Sequence, residues 1–442
     1  MYKSIAAALA EDVRGGRLSP GTRLPTHREL ADRLGVTVGT VTRAYAEAEA
    51  QGLVDATVGR GTFVRGRAPR LIEIPPAGVV DLTVNRPALG PHGDALGKTL
   101  AELARDERLG GFLDYVPPPG LPRHREAGAR FLRELGHEVT ADQVLVTCGA
   151  QSALGVLMAA LTEPGDTVLV ESLTYPGIVA AAHQCHVTTR GLELDEHGIV
   201  PEAFLAACRT ERPRLVVCVP NHHNPTAVVM PDDRRRKLAK IARDHGVLVV
   251  EDDVYGFLLE DRPTPIRNHY PEGTCVVTCT SKSLVPGLRI GYVAVPLPFV
   301  PRVANAIRTT VWMAPPLMAE VASRWIEDGT AARLIGYQRE ETQRRQALAG
   351  KILGAFAPRD RGGFHVWMPL PDAWKVGAFV AALRERGVTV APTEAFVVGA
   401  TPVPNAVRLC VTAPRAEADL ERGLGVVRAL LDGPPDVALG TI

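Results

Sequence analysis

No stretch of this chain is apolar for the roughly 18 residues that a membrane helix needs. The opening segment MYKSIAAALAEDVRGG runs from its alanines straight into Glu11 and Asp12, so it lacks a signal-peptide layout. Cysteine is sparse and unpatterned. The seven residues at 148, 185, 208, 218, 275, 279 and 410 form no CxxC pair. An odd, scattered set excludes a disulfide framework and a cysteine-based zinc site, no metal ligand set is expected, and a reducing cytoplasm fits best. Neither sign of charge dominates: 50 basic residues against 49 acidic give a net +1. Bulk polyanion binding by the whole chain is excluded on that ground. Internal repeats and long low-complexity tracts are missing as well. What remains is an ordinary globular composition, 46% hydrophobic and 22% charged over 442 residues. At about 100–200 residues per domain, that length holds two or three domains.

The charge is unevenly placed. Residues 1–68 carry ten Lys/Arg and seven Asp/Glu, a net +3, and the remainder is −2. The asymmetry hints at a nucleic-acid-facing N-terminus. Two styles of sequence meet near residue 70, and they predict a small domain over 1–66, a Pro-rich linker over 67–79 and a large domain over 80–442, with residues 432–442 as a loose tail. The large domain alternates helical stretches with apolar runs: QVLVTCG (143–149), DTVLVES (166–172), RLVVCVPN (214–221), GVLVVEDD (246–253), TCVVTCTS (274–281) and IGYVAVP (290–296). Near-continuous Val/Leu/Ile runs are strands buried on both faces, so the fold class is α/β with a mainly parallel sheet.

In the small domain, Ile5, Leu9 and Val13 form a helical stripe. Thr26 and Glu29 make a capping box for a second helix, Gly35 ends it, and Thr37 caps a third over about 38–51. Helix, short glycine-containing turn, helix is the helix-turn-helix spacing. The pieces LVDAT and GTFVR, joined by Val58-Gly59-Arg60-Gly61, read as a wing hairpin. The third helix would enter a major groove of double-stranded DNA by its N-terminal end, offering Thr37, Thr40 and Arg43. Arg28 and Arg23 are candidates for phosphate contacts, and Arg60 could reach a groove wall or a phosphate. From spacing alone, a three-helix domain that binds protein instead stays open.

The stretch PGTRLPTHRELADRLGVTVGTVTRAYAEAEAQGLVDATVGRGTFV (20–64) resembles the winged helix-turn-helix of GntR-type regulators. It carries their P-G-x-x-L-P-x-x-R-x-L-A pattern, the T-V-x-x-A-Y helix and the G-x-G-T-x-V wing. Val38 departs from the family, which often has a polar residue there.

In the large domain, TCTSKSLVPGLRIGY (278–292) puts Lys282 in a Ser/Thr-rich turn directly after a buried strand. Desolvation and a nearby cation, such as Arg289 seven residues on, would lower its pKa as a Schiff-base lysine requires. EDDVYGFL (251–258) sets two carboxylates at a strand's C-terminal end, where α/β sites lie, and PNHHNPT (220–226) brings polar groups to another. GAQSAL (149–154) opens a helix whose first N–H groups can cradle a phosphate, and SLTYPG (172–177) offers an aromatic ring. Each alone has a bland structural reading; the five in this order are specific.

Together they resemble the fold-type I aminotransferases, which use pyridoxal 5′-phosphate (PLP), over about residues 80–430. The resemblance implies that Lys282 bonds the cofactor covalently and Asp252 holds the pyridine nitrogen. Asn224 and Tyr255 would bind the ring's 3′-oxygen, and Tyr175 would stack on the ring. Gly149, Ala150, Gln151, Thr280 and Arg289 would hold the phosphate, with Tyr115 reaching it from a second subunit. Arg408, in NAVRLCV, would clamp a substrate α-carboxylate in a bidentate fork. Cys279 stands where Ser is usual and Ala227 where Gly is usual; His222 and His223 read as loop histidines held by backbone bonds.

A GntR-type head on an aminotransferase-like domain is the layout of MocR-type regulators. That resemblance implies a homodimer in which PLP, or PLP joined to an amino acid, is the effector. A PLP-dependent enzyme that keeps a winged helix is the alternative, since the short linker limits reach and the site retains what transamination needs. An enzyme that represses its own gene is a third.

Overall fold

The computed structural model describes residues 2–14, 18, 22–50, 53–57, 61–64, 78–357, 362–399 and 403–433. The chain divides into two units, Met1–Ile74 and Pro75–Ile442. Most of the expected linker and tail lies outside the described residues.

The first unit is built of α1 (Tyr2–Arg14), α2 (His27–Leu34) and α3 (Val38–Ala50), followed by β1 (Val54–Thr57) and β2 (Gly61–Val64). The capping box forms as read: Thr26 Oγ1 accepts the Glu29 N–H at 3.3 Å, and the Glu29 carboxylate accepts the Thr26 N–H at 2.8 Å. Gly35 ends α2 at φ 63°, a left-handed conformation natural to glycine. β1 and β2 pair antiparallel, with Val54 opposite Val64. Tyr45 and Val41 of α3 pack with Leu24, Ala31 and both valines in one core. On α1 the deepest residues are Ala6 and Ala10, while Ile5 and Leu9 are half-buried. Leu9 of the expected stripe packs against this core, the small side chains of Ala6 and Ala10 beside it allow close approach to α3, and the Val13 side chain lies outside the described residues.

The second unit has two sheets. Its strands are β3 (Val80–Leu82), β4 (Val144–Thr147), β5 (Thr167–Glu171), β6 (Thr188–Leu192), a short hairpin of β7 (Leu194–Asp195) and β8 (Gly198–Ile199), β9 (Leu215–Cys218), β10 (Leu248–Asp252), β11 (Thr274–Cys279), β12 (Gly291–Ala294), β13 (His365–Pro369), β14 (Val388–Pro392) and β15 (Ala406–Cys410). The large sheet runs β4-β12-β11-β10-β9-β5-β6. All six apolar runs are strands of it. Pairing is parallel except at β12, which is antiparallel to both β11 and β4. The reason is connection length: residues 280–290 turn the chain straight back, whereas a parallel crossover needs about a dozen residues or more, usually with a long helix. The small sheet runs β13-β15-β14-β3 and encloses a separate core with Leu82, Phe379 and Leu424.

This topology sets the site. Strands β4, β5, β9, β10 and β11 end at one edge, and the loops that leave Thr147, Glu171, Cys218, Asp252 and Cys279 carry nearly all the candidate residues. Arg408 arrives from β15 of the small sheet.

Candidate functional site

Lys282 sits in a single helical turn, Thr280–Ser283, directly after β11. Its Nζ donates to the Asn85 carbonyl at 2.5 Å. Loss of hydration pulls its ammonium below the ordinary lysine value, and the Arg408 cation adds to this, against Cys279, Cys410 and Asp252. The cation that bears on Lys282 is thus Arg408, not the expected Arg289. Asp252, the last residue of β10, is buried, and its Oδ1 has no hydrogen-bond partner. Burial pushes its carboxyl up to about 8, with Asp253 and Glu171 adding and Lys282 opposing. Asp253 points elsewhere: it takes hydrogen bonds from Asn221 at 2.6 Å and His137 at 3.0 Å and stays below the usual carboxylate range despite its burial.

Around these two groups, Arg408 Nη1 donates to Asn224 Oδ1 at 2.5 Å, Nη2 donates to the Thr83 carbonyl, and the buried Nε is unpaired. The guanidinium also lies 4.8 Å over the Phe396 ring. Tyr255 is buried, and its hydroxyl accepts from Asn85 Nδ2 at 2.8 Å. Tyr175 stands at the N-cap of the helix Pro176–Gln184 and is 37% exposed. Burial raises its phenol, and Asp252 and Cys279 act on it in the same sense, so it lies in their field. Ala227 takes φ 59°, which explains why glycine is usual there. His222 and His223 are buried in their loop, with the His223 N–H donating to the Val228 carbonyl at 2.8 Å; His223 Nδ1 meets Thr226 Oγ1 at 2.7 Å, and burial holds its imidazole down to about 3.

A cradle opens beside the lysine. Gly149, at φ 88°, caps the helix Ala150–Leu161, so the first N–H groups of that helix, at Ala150 and Gln151, have no intrahelical acceptor. A Cβ at Gly149 would sit 2.7 Å from Arg289 Nη2. Arg289 donates to Ser281 Oγ and to the Cys148 carbonyl, each at 3.1 Å. Thr280 is fully buried, and its hydroxyl donates to the Ile290 carbonyl, so Ser281 is the hydroxyl beside the cation. Gln151 donates its amide to the Gly177 carbonyl. Tyr115 is 77% exposed and packs against the half-exposed Trp312, on the surface of the single chain.

In the first unit, Arg28 and Arg43 are exposed on α2 and α3. The Thr37 and Thr40 hydroxyls lie 2.9 Å apart, with Thr37 Oγ1 also accepting the Thr40 N–H, so both are partly spent on the start of α3. Arg60 lies outside the described residues.

Residues 77–427 match the aminotransferase class I and II family, and residues 1–64 match the gntR family of bacterial regulatory proteins. The uncharacterized HTH-type transcriptional regulator YdeF of Bacillus subtilis is 32% identical over 98% of this chain and 94% of its own. The HTH-type transcriptional regulator TauR of Rhodobacter capsulatus is 30% identical over 88% of each. A tetra mutant of Thermus thermophilus aspartate aminotransferase superposes with a TM-score of 0.70 at 28% identity, over 83% of this chain and all of the enzyme. The chain belongs to the MocR-type regulators. Its large unit has the fold-type I architecture of the PLP-dependent aminotransferases.

Three residues of this MocR-type chain stand at the site without having been picked out in the sequence: Asn85, Ser281 and His365. Ser281 carried a local signal, since it neighbours Lys282. Asn85 and His365 carried none, because only the small sheet brings them to Tyr255. Among the described residues, no group of His, Cys, Asp and Glu could hold a metal, and no helix is long and apolar enough to cross a membrane.

Proposed function

We propose that this chain is a DNA-binding transcriptional regulator that holds PLP on Lys282 and senses an amino acid there. One observation carries the reading: a winged helix is joined to a site with a desolvated lysine and a buried aspartate oxygen that lacks a partner. The residues fit the cofactor. The Oδ1 of Asp252 is the acceptor that a protonated ring nitrogen requires, and the space before Arg289 that a Cβ at Gly149 would fill suits a phosphate. When bound, PLP supplies an electron-withdrawing ring and an aldehyde carbon that bonds amines reversibly.

Each residue then has a task. Lys282, held below its ordinary value, is a better nucleophile at neutral pH. Asp252 keeps the ring nitrogen protonated, and the partner it gains favours its ionised form. Asn224 and Tyr255 bind the 3′-oxygen while Tyr175 covers the ring. The helix start at Gly149, Ala150 and Gln151, with Arg289 and the added Ser281, holds the phosphate, while Thr280 braces the turn through the Ile290 carbonyl. Tyr115, exposed in one chain, would complete the phosphate site of a second copy, as a homodimer requires. Arg408 gives up Asn224 or the Thr83 carbonyl to take an α-carboxylate in its fork. On the first unit, Arg43 and the start of α3 face the major groove, with Arg28 and Arg60 on phosphates.

The test is a titration of the full-length protein with DNA from upstream of its own gene, near physiological salt, with and without PLP and single amino acids. Sequence-dependent binding that shifts with PLP or an amino acid is the expected result. Weak, salt-sensitive binding that is equal on unrelated DNA overturns the reading. The completeness of the Lys282, Asp252 and Arg408 set also supports the second reading, a PLP-dependent enzyme; formation of a 2-oxo acid from an amino acid in the presence of a 2-oxo acid acceptor would reveal it.

A further inference from the structure

Asn85 follows β3 and is buried between the two sheets, with every polar atom of its side chain engaged. Its Nδ2 donates to Tyr255 Oη at 2.8 Å and faces His365 Nδ1 at 3.1 Å, and its Oδ1 accepts from Cys410 Sγ at 2.7 Å. Its main-chain oxygen takes the Lys282 amine. It touches residues from β13, β15 and the turns after β10 and β11 at once.

The direction of these bonds follows from one carbonyl. His365 Nε2 lies 3.1 Å from the His223 carbonyl, which can only accept, so Nε2 carries a hydrogen. Burial, and then the Arg408 cation, keep a second proton off this ring. Nδ1 is therefore an acceptor, and the Asn85 group facing it must be the amide nitrogen. That nitrogen's other hydrogen goes to Tyr255 Oη, and the amide oxygen is left for the Cys410 thiol. Because the Tyr255 oxygen receives a hydrogen, its own hydrogen is available to a further acceptor.

We propose that Asn85 is a positioning residue that fixes the Tyr255 hydroxyl as a hydrogen-bond donor into the cofactor site. This rests on the reading that the site holds PLP. Arg408 acts in parallel on Asn224: a guanidinium only donates, so Asn224 turns its oxygen to Arg408 and its N–H groups elsewhere. On bound PLP, these two donors would favour the anionic form of the 3′-oxygen and so weaken its hold on a proton shared with Lys282. The charged and titratable groups around Tyr255 are Arg408, Cys410, Asp252 and His365, and around Lys282 they are Cys279, Cys410, Arg408 and Asp252. None is removed by substitution at Asn85.

The experiment is a pH titration of the visible absorbance of the PLP-loaded, full-length protein. In Asn85→Asp the side chain only accepts, so Tyr255 donates to it and not to the 3′-oxygen. The pH of the spectral transition then moves up by about one unit, the size expected for losing one hydrogen bond to a charged group. In a Tyr255→Phe background the same substitution moves it far less, because the acting hydroxyl is gone. An unchanged transition, or an equal shift in both backgrounds, overturns the inference, the latter by reducing the effect to added charge. If Asn85→Asp does not fold, Asn85→Ala takes its place: it leaves the Tyr255 hydroxyl unfixed and free to turn, so a smaller upward shift is expected that again vanishes in the Tyr255→Phe background. A wild-type protein that takes up no borohydride-reducible PLP overturns the reading of the site along with this inference. A loaded protein with an unmoved transition overturns the inference alone.

Discussion

At the scale of single residues, the site holds two groups whose ordinary charges are disfavoured, Lys282 and Asp252, at neighbouring strand ends. Lys282→Ala should abolish borohydride-reducible visible absorbance in protein incubated with PLP; retained absorbance would show that another amine carries the cofactor. Asp252 makes a second prediction through pH. Its carboxyl lies near 3.8 in the unfolded chain and is raised to about 8 in the fold. Between those values the native state binds a proton that the unfolded state does not, so this group's contribution to stability falls as pH rises from about 4 to 8. Asp252→Asn removes the dependence. The cofactor-free variant should gain in thermal stability over the unaltered chain, and gain more at pH 8 than at pH 5; a gap independent of pH would contradict the assignment. Both residues were legible in the sequence because each stands in a short motif at the end of an apolar run. Asn85 was not. Its partners Tyr255, His365 and Cys410 are remote in sequence, and TVNRP has no pattern that marks an asparagine out.

At the scale of elements, the sequence was readable wherever burial or capping leaves a local trace. The six apolar runs are strands because both faces are covered, and α2 begins and ends where the capping box and Gly35 require. β6 was not readable: its TTRGL is largely exposed at the sheet edge and carries no apolar run. The reversal of β12 was equally hidden, since a strand buried on both faces looks alike in either direction. The cap makes its own prediction. Thr26→Ala removes the acceptor for the Glu29 N–H and should cost about 1 kcal/mol. Heat unfolding of the first unit, followed by helical signal, should shift downward while the second unit's transition stays in place. DNA binding at high temperature should fall with it. An unchanged first transition would mean that packing of Tyr45 and Val41, and not the cap, sets the start of α2.

At the scale of the whole molecule, a chain of net charge +1 conceals a first segment of +3 and a remainder of −2. DNA affinity must come from the local placement of a few cations, so its salt slope should count those residues. Arg28→Ala should weaken binding on all sequences and lower the salt slope by about one, whereas Arg43→Ala should weaken operator binding by about 1–3 kcal/mol and relax its sequence preference, each with the cofactor spectrum unchanged. If the large unit senses an amino acid on behalf of the small one, the coupling is a free energy that belongs to both sites. Whatever factor the amino acid imposes on operator affinity, the operator must impose on amino-acid affinity, since the cycle of four states closes. The spectral change on PLP gives a direct way to titrate the amino acid without DNA and again with saturating operator. Equal factors in the two directions, on the order of 5- to 150-fold, are expected of an allosteric regulator. A factor of one in both directions, with PLP bound and DNA bound, would describe a chain whose two units work independently, and would favour an enzyme that carries its winged helix without using it as a readout.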